Sequence, residues 1–499
     1  MGQPWDVVVV GSGNAALCAA IAAQEKGKSV LVVEKAETDL AGGNSKYTAG
    51  AMRFAYTSNE ELLPLLLDPE DERIPNTEFG TYTQEKFAAD LLHFNDGRPL
   101  SVEQKALIEK SYDTMLWLAS HDVKFEPIYS RQSFLKDGKH VFWGGLTLAA
   151  EEEGVGLVES EMEAFTKKGG QIRFGCEVVD LIVENGKVVG VKTRSSDGKA
   201  EDISAKAVVL GCGGFEASAE LREKYLGKNW IGAKVRGTPH NTGRGLEMAV
   251  ALGAQEYGFF EGCHATPMDL FMADYGNLEL PHMERKNYRK ICYFLGVMLN
   301  ANGDRFVDEG KDFRNYTYAQ FGRAVLEQPG HFAWQIFDSK VFDLFYGEYL
   351  FHDAHFVEAD TLDALIEKLD GIEDKAKVRE TLAAYNAAVD SQTPFDPTIK
   401  DGKGTKGLDL PKSNWAQTIE KGPFRAYPVT GGITFTYGGL KVGEDGAVQR
   451  ADGSAIDGLF ACGELVGGVF FNGYPGGSGL TSGAVFGRRA GYGAAEHAA

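Results

Sequence analysis

Residues 6–10 are one acid followed by four valines, apolar at every position after Asp6, which is the pattern of a strand buried on both faces. The run passes directly into Gly11-Ser12-Gly13-Asn14-Ala15-Ala16 and then into an alanine-rich stretch, residues 17–26, that reads as a helix closed by Gly27. Residues 29–33 return to an apolar strand, and Glu34 stands at its end, about twenty positions after the first glycine. Strand, glycine turn, helix, strand and acid in that order is the context a dinucleotide-binding turn requires. Gly11 permits the turn, Gly13 lets backbone approach a pyrophosphate at the positive end of the helix, and Ala16 is small enough for close helix–strand packing. Glu34 is placed to accept hydrogen bonds from a ribose.

Apolar runs ending in glycine recur along the chain. Ala41-Gly42-Gly43-Asn44-Ser45-Lys46 follows soon after Glu34, Ala207-Val208-Val209-Leu210-Gly211-Cys212-Gly213-Gly214 lies near mid-chain, and Gly458-Leu459-Phe460-Ala461-Cys462-Gly463-Glu464 lies near the end. Any one of these can be an ordinary turn. As a set they suit an extended FAD lying across a doubly wound sheet rather than a single NAD. Residues 361–388 read as one charged amphipathic helix, and from Phe424 onward glycine-punctuated strands return. No internal repeat or low-complexity linker interrupts the pattern.

Composition narrows the function. The chain has 499 residues, enough for two or more domains, and carries 51 Lys+Arg against 71 Asp+Glu, a formal net charge of −20. That balance argues against a broad nucleic-acid footprint or an attraction to anionic membrane, and an anionic substrate needs a local basic pocket. The six cysteines (18, 176, 212, 263, 292 and 462) include no C-x-x-C pair, so no zinc or iron–sulfur motif is present and reduced thiols in a cytoplasmic protein are expected. The first apolar run ends at Gly11, too early for a signal-peptide core, and no apolar segment is long enough for a membrane span. No metal site is expected.

Gly-Ser-Gly-Asn-Ala-Ala, Gly-Gly-Asn-Ser-Lys, Gly-Asp-Arg-Phe-Val-Asp-Glu (303–309) and Leu-Phe-Ala-Cys-Gly-Glu (459–464) together resemble the fumarate reductase/succinate dehydrogenase flavoprotein superfamily over essentially the whole chain. Within it, Gly-Cys-His-Ala (262–265), residues 308–318, residues 432–440 and residues 472–488 resemble the FAD-dependent tricarballylate dehydrogenases. The resemblance implies an α/β fold: a Rossmann-like, glutathione-reductase-like FAD-binding domain at 1–258 and 434–499, with an inserted α+β capping domain at 259–433. FAD is expected to be noncovalent, because no histidine neighbours Asn44 in the early glycine loop. Its expected contacts are Gly11, Gly13, Asn14, Ala15, Glu34, Lys35, Gly42, Gly43, Asn44, Ser45, Val178, Gly213, Gly214, Gly463, Glu464, Gly479 and Leu480. A separate membrane-associated iron–sulfur/haem protein is the expected electron acceptor.

Dehydrogenating a saturated carboxylate sends a hydride from one carbon to the flavin while a proton leaves its neighbour, so the site needs cations and one proton acceptor. The resemblance places the proton-shuttling arginine at Arg314, in Asp312-Phe313-Arg314-Asn315, with Glu309 as its relay and one extra residue between them. Read without it, Arg305, Asp308, Glu309 and Arg314 make a salt-bridge cluster. His264 matches a carboxylate-binding histidine, and Cys263 beside it reads as a small packed residue. Thr434 and Tyr474 replace a second histidine and a clamping arginine, which argues against plain fumarate or succinate chemistry. Arg53, Arg131, Arg236 and Lys46 are further cation sources, and the side-chain role of His240 is open. The substrate expected is tricarballylate, oxidised to cis-aconitate. Tyr-Pro-Gly-Gly (474–477) also resembles the 3-ketosteroid Δ1-dehydrogenases, in which case Tyr474 polarises a ketone and Tyr316 or Tyr318 is the base. A fumarate reductase-like oxidoreductase and an electron-transfer or scaffold subunit without its own substrate are the remaining alternatives.

Overall fold

The computed structural model describes residues 4–285, 288–351 and 353–499. Trp5–Val10 lies between two parallel neighbours, Val30–Val33 on one side and the second half of Ala200–Leu210 on the other. Gln171–Arg173 extends the parallel sheet beyond Val30–Val33, and Ala455–Ala461 extends it beyond Ala200–Leu210. The first half of Ala200–Leu210 turns instead to an antiparallel partner, Lys187–Ser195, which pairs with Cys176–Glu184. Val7, Val8 and Val9 have no exposed surface, each contributing on the order of 1.5–3 kcal/mol by burial, which explains the unbroken apolar run.

Three parallel strands end together. Gly11 N–H bonds Val33 O, Gly211 N–H bonds Val10 O and Cys462 N–H bonds Leu210 O, so three glycine-rich turns emerge side by side from the carboxyl edge of the sheet. That edge is where open α/β sheets form their ligand crevice. Behind it, helices Asn14–Glu25 and Ser478–His497 pack almost backbone to backbone. A Cβ on Gly487 would lie 2.3 Å from Ala15 O, and one on Gly491 2.2 Å from Ala19 O, so glycine every fourth residue makes this approach possible.

A second, six-stranded sheet is organised by one 17-residue strand, Phe424–Leu440. Its first half pairs with Phe332–Asp338 and Val357–Ala359, and its second half with Lys234–Val235; Glu256–Asp269 runs antiparallel along it from Val429 to Leu440. The breaks expected at 258/259 and 433/434 fall inside these two paired strands: Gly258 opposes Gly438 and His264 opposes Phe435. Both expected breaks therefore lie within continuous strands of the second sheet, with register shifts at Gly258/Cys263 and His264/Ala265.

Residues 361–388 are two helices, not one. Leu362–Glu367 and Lys375–Ala388 are separated by a turn in which Gly371 has φ +80. Leu365, Ile366, Leu369, Ile372, Val378 and Leu382 are all buried, so each helix turns its own apolar face to the second sheet, and a straight rod could not. Among the described residues, no helix is long and apolar enough to cross a membrane.

Candidate active site

A cavity of about 610 Å³ runs from the glycine edge of the first sheet to the second sheet. At Gly11 the backbone has φ +102, and a Cβ would lie 2.6 Å from Gly211 O, so only glycine closes this turn. Gly13 caps helix Asn14–Glu25, whose first amide donates to Ser45 Oγ at 3.1 Å, while Asn14 Nδ2 reaches Leu480 O at 2.8 Å. Glu34 accepts from Ser12 Oγ at 2.6 Å and from Ala36 N–H at 2.7 Å; burial raises its pKa against those two bonds. Gly11, Gly13, Asn14, Ala15, Glu34, Lys35, Gly43, Asn44, Ser45, Val178, Gly213, Gly463, Glu464, Gly479 and Leu480 all line the cavity. Gly42 and Gly214 do not. Gly42 donates its amide to Ser12 Oγ, and Gly214 leaves room for the Glu464 carboxylate. A helix N-terminus for a pyrophosphate, a buried acid for a ribose and a cavity of ligand size fit FAD. Cys176 and Cys212 also line the cavity, but all six cysteines are unpaired, and burial holds the Cys212 thiol up at about 12.

The other end of the cavity is built from side chains of the second sheet and one helix. Helix Arg314–Leu326 presents Arg314, Asn315 and Tyr318 from its first two turns. Tyr318 Oη lies 2.5 Å from Tyr474 Oη, and His264 packs edge-on against both rings and stacks on Phe435 with centroids 5.3 Å apart. Burial raises the pKa of both tyrosines, so they remain hydroxyl donors. Burial, then Arg236 and Arg289, drive His264 well below the ordinary histidine range, so its imidazole is neutral. Burial also brings Arg236 down to about 9 and Arg314 down to about 10.

Cations concentrate here. Arg131, Arg236, Arg289 and Arg314 line the wall, with Arg131 paired to Glu153 at 2.8 Å and Arg289 to Glu348 at 2.9 Å. Arg314 lies over the rings of Trp143 and Tyr346, and its Nη2 donates to Arg131 O. Five buried polar atoms on residues lining the cavity have no hydrogen-bond partner: His264 Nδ1, Arg314 Nη1, Tyr346 Oη, Thr434 Oγ1 and Tyr437 Oη. Leaving such groups unmade costs about 1–3 kcal/mol each, so their convergence marks a place for an oxygen-rich ligand.

Several sequence expectations land elsewhere. Glu309 does not line the cavity: it is fully buried, with both carboxylate oxygens taken by Arg305 and by Met298 N–H, so it has no free oxygen with which to relay for Arg314. Arg305 and Glu309 do form the ion pair the salt-bridge reading foresaw, but Arg314 is in the cavity. Arg53 is fully buried behind the site, holding Gly476 O and Gly144 O, and Lys46 faces Glu159 at 3.5 Å. Tyr316 bonds Asp90 rather than Tyr474. His240 lines the cavity beside the Lys35–Glu177 ion pair; burial and then Lys35 lower its pKa. Arg289 was not anticipated. It lies in a run of charged residues that reads as a solvated face, and the Glu348 carboxylate, from a distant segment, offsets its burial.

Residues 6–480 match the model of the FAD binding domain family. An NADH:fumarate oxidoreductase of Klebsiella pneumoniae is 26% identical over 503 residues, covering 99% of this chain and 48% of that protein, so the chain spans about half of that relative's length. A 3-oxosteroid 1-dehydrogenase of Mycolicibacterium smegmatis is 27% identical over 559 residues, covering 95% of this chain and 94% of that one. Among solved structures, the open conformation of a flavocytochrome c3 fumarate reductase superposes with a TM-score of 0.73 at 25% identity, covering all of this chain and 79% of that one. The cradle, the family match and these likenesses agree: the chain belongs to the FAD binding domain family, a mixed α/β flavoprotein with FAD as cofactor whose relatives named here are oxidoreductases.

Proposed function

We propose that this FAD-dependent oxidoreductase acts on a CH–CH bond beside the carboxylates of a small acid, and that its substrate is tricarballylate, oxidised to cis-aconitate. The observation that carries the reading is the convergence of partnerless His264 Nδ1, Thr434 Oγ1 and Arg314 Nη1 in a cavity also lined by Arg131, Arg236 and Arg289. Arg131 and Arg289 have carboxylate partners in Glu153 and Glu348, whereas Arg314 meets none among the described residues, which leaves positive charge for an anion in a chain of net charge −20. In this reading the first sheet is a Rossmann-like FAD-binding domain, 1–258 and 434–499, and 259–433 caps it and excludes water.

Bound FAD supplies a hydride acceptor. Arg236, Arg289 and His264 hold carboxylate oxygens by charge-assisted and neutral hydrogen bonds, and Thr434 and Tyr474 complete the orientation. Arg314 removes the neighbouring proton. Burial, with Arg131 and Arg289 pressing from nearby, already brings its guanidinium down to about 10, which makes the neutral base accessible in a dry site. Reoxidation falls to a separate membrane-associated electron carrier. Six unpaired cysteines support a cytoplasmic setting.

A second reading rests on the Tyr318–Tyr474 hydrogen bond of 2.5 Å. In this reading Tyr474 donates its hydroxyl to a ketone and Tyr318, once ionised to the phenolate against the burial that favours its neutral form, takes the proton, as in a 3-oxosteroid desaturase. Anaerobic bleaching of the flavin by tricarballylate, succinate or a 3-ketosteroid, each added alone, separates the two. Bleaching by tricarballylate alone is expected. Bleaching by the steroid alone, or by succinate as fast as by tricarballylate, overturns the assignment.

A further inference from the structure

Arg314 meets aromatic rings where an ion pair would be expected. Its guanidinium carbon lies 5.1 Å from the centroid of the Trp143 ring and 4.3 Å from that of Tyr346. Trp143 is buried and does not itself line the cavity, yet several segments converge to place it. Phe313, which caps helix Arg314–Leu326, stacks on it with centroids 5.2 Å and planes 23° apart, and Phe134 stacks on it at 6.4 Å and 21°. Trp415 packs on Phe313 in turn at 5.5 Å, its indole N–H shared between Ile399 O and Asp396 O. The Trp143 amide donates to Gln132 O at 3.1 Å, and the next carbonyl, Gly144 O, accepts from the buried Arg53 at 2.8 Å. Gln132 and Asn315 exchange side-chain amide bonds of 3.0 and 3.4 Å, which ties this segment to the first turn of the helix that carries Arg314. The Trp143 Nε1 has no partner, so stacking and backbone, not a hydrogen bond of its own, fix the ring.

An indole face attracts a cation more strongly than the other aromatic rings do, and the attraction grows where water is excluded. A guanidinium gains from it only while protonated. The other groups around Arg314 divide clearly. Burial and the Arg131 and Arg289 guanidiniums favour its neutral form. Cys292 and Tyr293 are kept protonated by burial and carry no charge, and the Tyr346 hydroxyl has no partner. The nearby carboxylates Glu153 and Glu348 pair with Arg131 and Arg289. What stands on the side of the cation is the Arg131 carbonyl and the two rings.

We propose that Trp143 is a positioning residue for Arg314: its ring face holds the guanidinium at the cavity wall and favours the protonated form. Resting on the reading of Arg314 as the base, it follows that Trp143 sets the pH at which the base becomes available. The sign is fixed by which form gains. Taking the ring away withdraws support from the cation alone, so Arg314 loses its proton at lower pH and the neutral base is reached sooner. The same change leaves the guanidinium less firmly placed, so the neutral base works from a poorer position.

The test is the titration of the Arg314 guanidinium carbon, followed by nuclear magnetic resonance in FAD-loaded protein labelled at arginine and assigned by the signal missing from Arg314→Lys. The midpoint is expected to fall by about one pH unit in Trp143→Leu. Replacing all six tryptophans by a fluorinated analogue draws electron density from the ring faces, leaves their shape, and needs no core substitution. A smaller fall is expected there, and none when the same analogue is supplied to Trp143→Phe. The pH profile of anaerobic flavin reduction by tricarballylate adds a second readout: in Trp143→Leu its rising limb moves to lower pH with the midpoint, and its plateau drops. A merely structural role lowers the plateau and leaves the limb and the midpoint in place. A midpoint unmoved by fluorination and by Trp143→Leu overturns the proposal. A shifted midpoint in protein whose flavin tricarballylate does not reduce upholds the role of the ring and rejects that acid as the substrate.

Discussion

The end of the cavity that receives the dinucleotide is made mostly of backbone, and the reacting end is made of side chains. At Gly11, Gly13 and the start of helix Asn14–Glu25 the ligand meets amides and close turns whose geometry follows from a few consecutive residues. At the other end, Arg236, His264, Arg289, Arg314, Thr434 and Tyr474 come from six places in the chain, and partners from still other segments hold them: Glu348 for Arg289, Arg131 O for Arg314 and Tyr318 for Tyr474. The first end is fixed by local sterics, and a single added methyl breaks it. The second is an electrostatic balance, in which changing one charge shifts the others.

That contrast is sharpest at Gly11. Gly11→Val must place carbon within 2.6 Å of Gly211 O from a left-handed backbone, so loss of bound FAD is expected, checked by the flavin absorbance of the purified variant. Stoichiometric FAD in that variant would show that the turn has slack the structure denies.

The next largest effect is expected at the Arg289–Glu348 pair. Both side chains are almost fully buried, so Glu348→Ala strands a charge and costs about 3–5 kcal/mol, measured by denaturant unfolding. Replacing Arg289 and Glu348 together by neutral residues is expected to recover much of that stability while KM for the acid stays high, since the proposed function has Arg289 hold a substrate carboxylate. The pair also sets a pH dependence. Burial opposes ionisation of Glu348, but Arg289 and Arg131 outweigh it and hold its pKa below the ordinary value. Its contribution is present above the ordinary carboxylate range and is lost as pH falls through the lowered value. Glu348→Gln is expected to flatten the acid side of the stability profile.

The smallest effect is expected at Tyr346. Its ring lies under Arg314, while its hydroxyl has no partner. Tyr346→Phe keeps the ring and removes only that hydroxyl, so a change of less than about tenfold in kcat/KM is expected, against a larger loss in Tyr346→Ala, where the cation–π contact of about 1–2 kcal/mol also goes. Equal losses in the two variants would place the hydroxyl, not the ring, at the centre of Arg314's environment.

What could be read from the sequence follows the same division. The strand at residues 6–10, the Gly11–Gly13 turn and Glu34 are adjacent in the chain, and the periodicity that predicts them is the periodicity that makes them. Arg289 and Lys290 carry the pattern of a solvated face, yet Glu348 and Asp269 arrive from other segments to bury them, a pairing that no local window contains. The resemblance makes Glu309 the relay for Arg314, but Arg305 and the Met298 amide occupy its carboxylate. Tyr318 was within reach of sequence reasoning: it is four residues after Arg314, hence on the same helical face, whereas Tyr316 points to Asp90. The break in residues 361–388 turns on Gly371 and on the buried Leu369 and Ile372, whose partners lie in the second sheet.

The central claim is that the arginine wall, not the tyrosine pair, carries the chemistry, and the most direct test is anaerobic single-turnover flavin reduction by tricarballylate in Arg314→Ala and Tyr474→Phe, both loaded with FAD. The account predicts that Arg314→Ala slows reduction by about 10²–10⁴, whereas Tyr474→Phe, which loses one orienting hydroxyl, slows it far less. Unimpaired reduction in Arg314→Ala together with a collapse in Tyr474→Phe would contradict it.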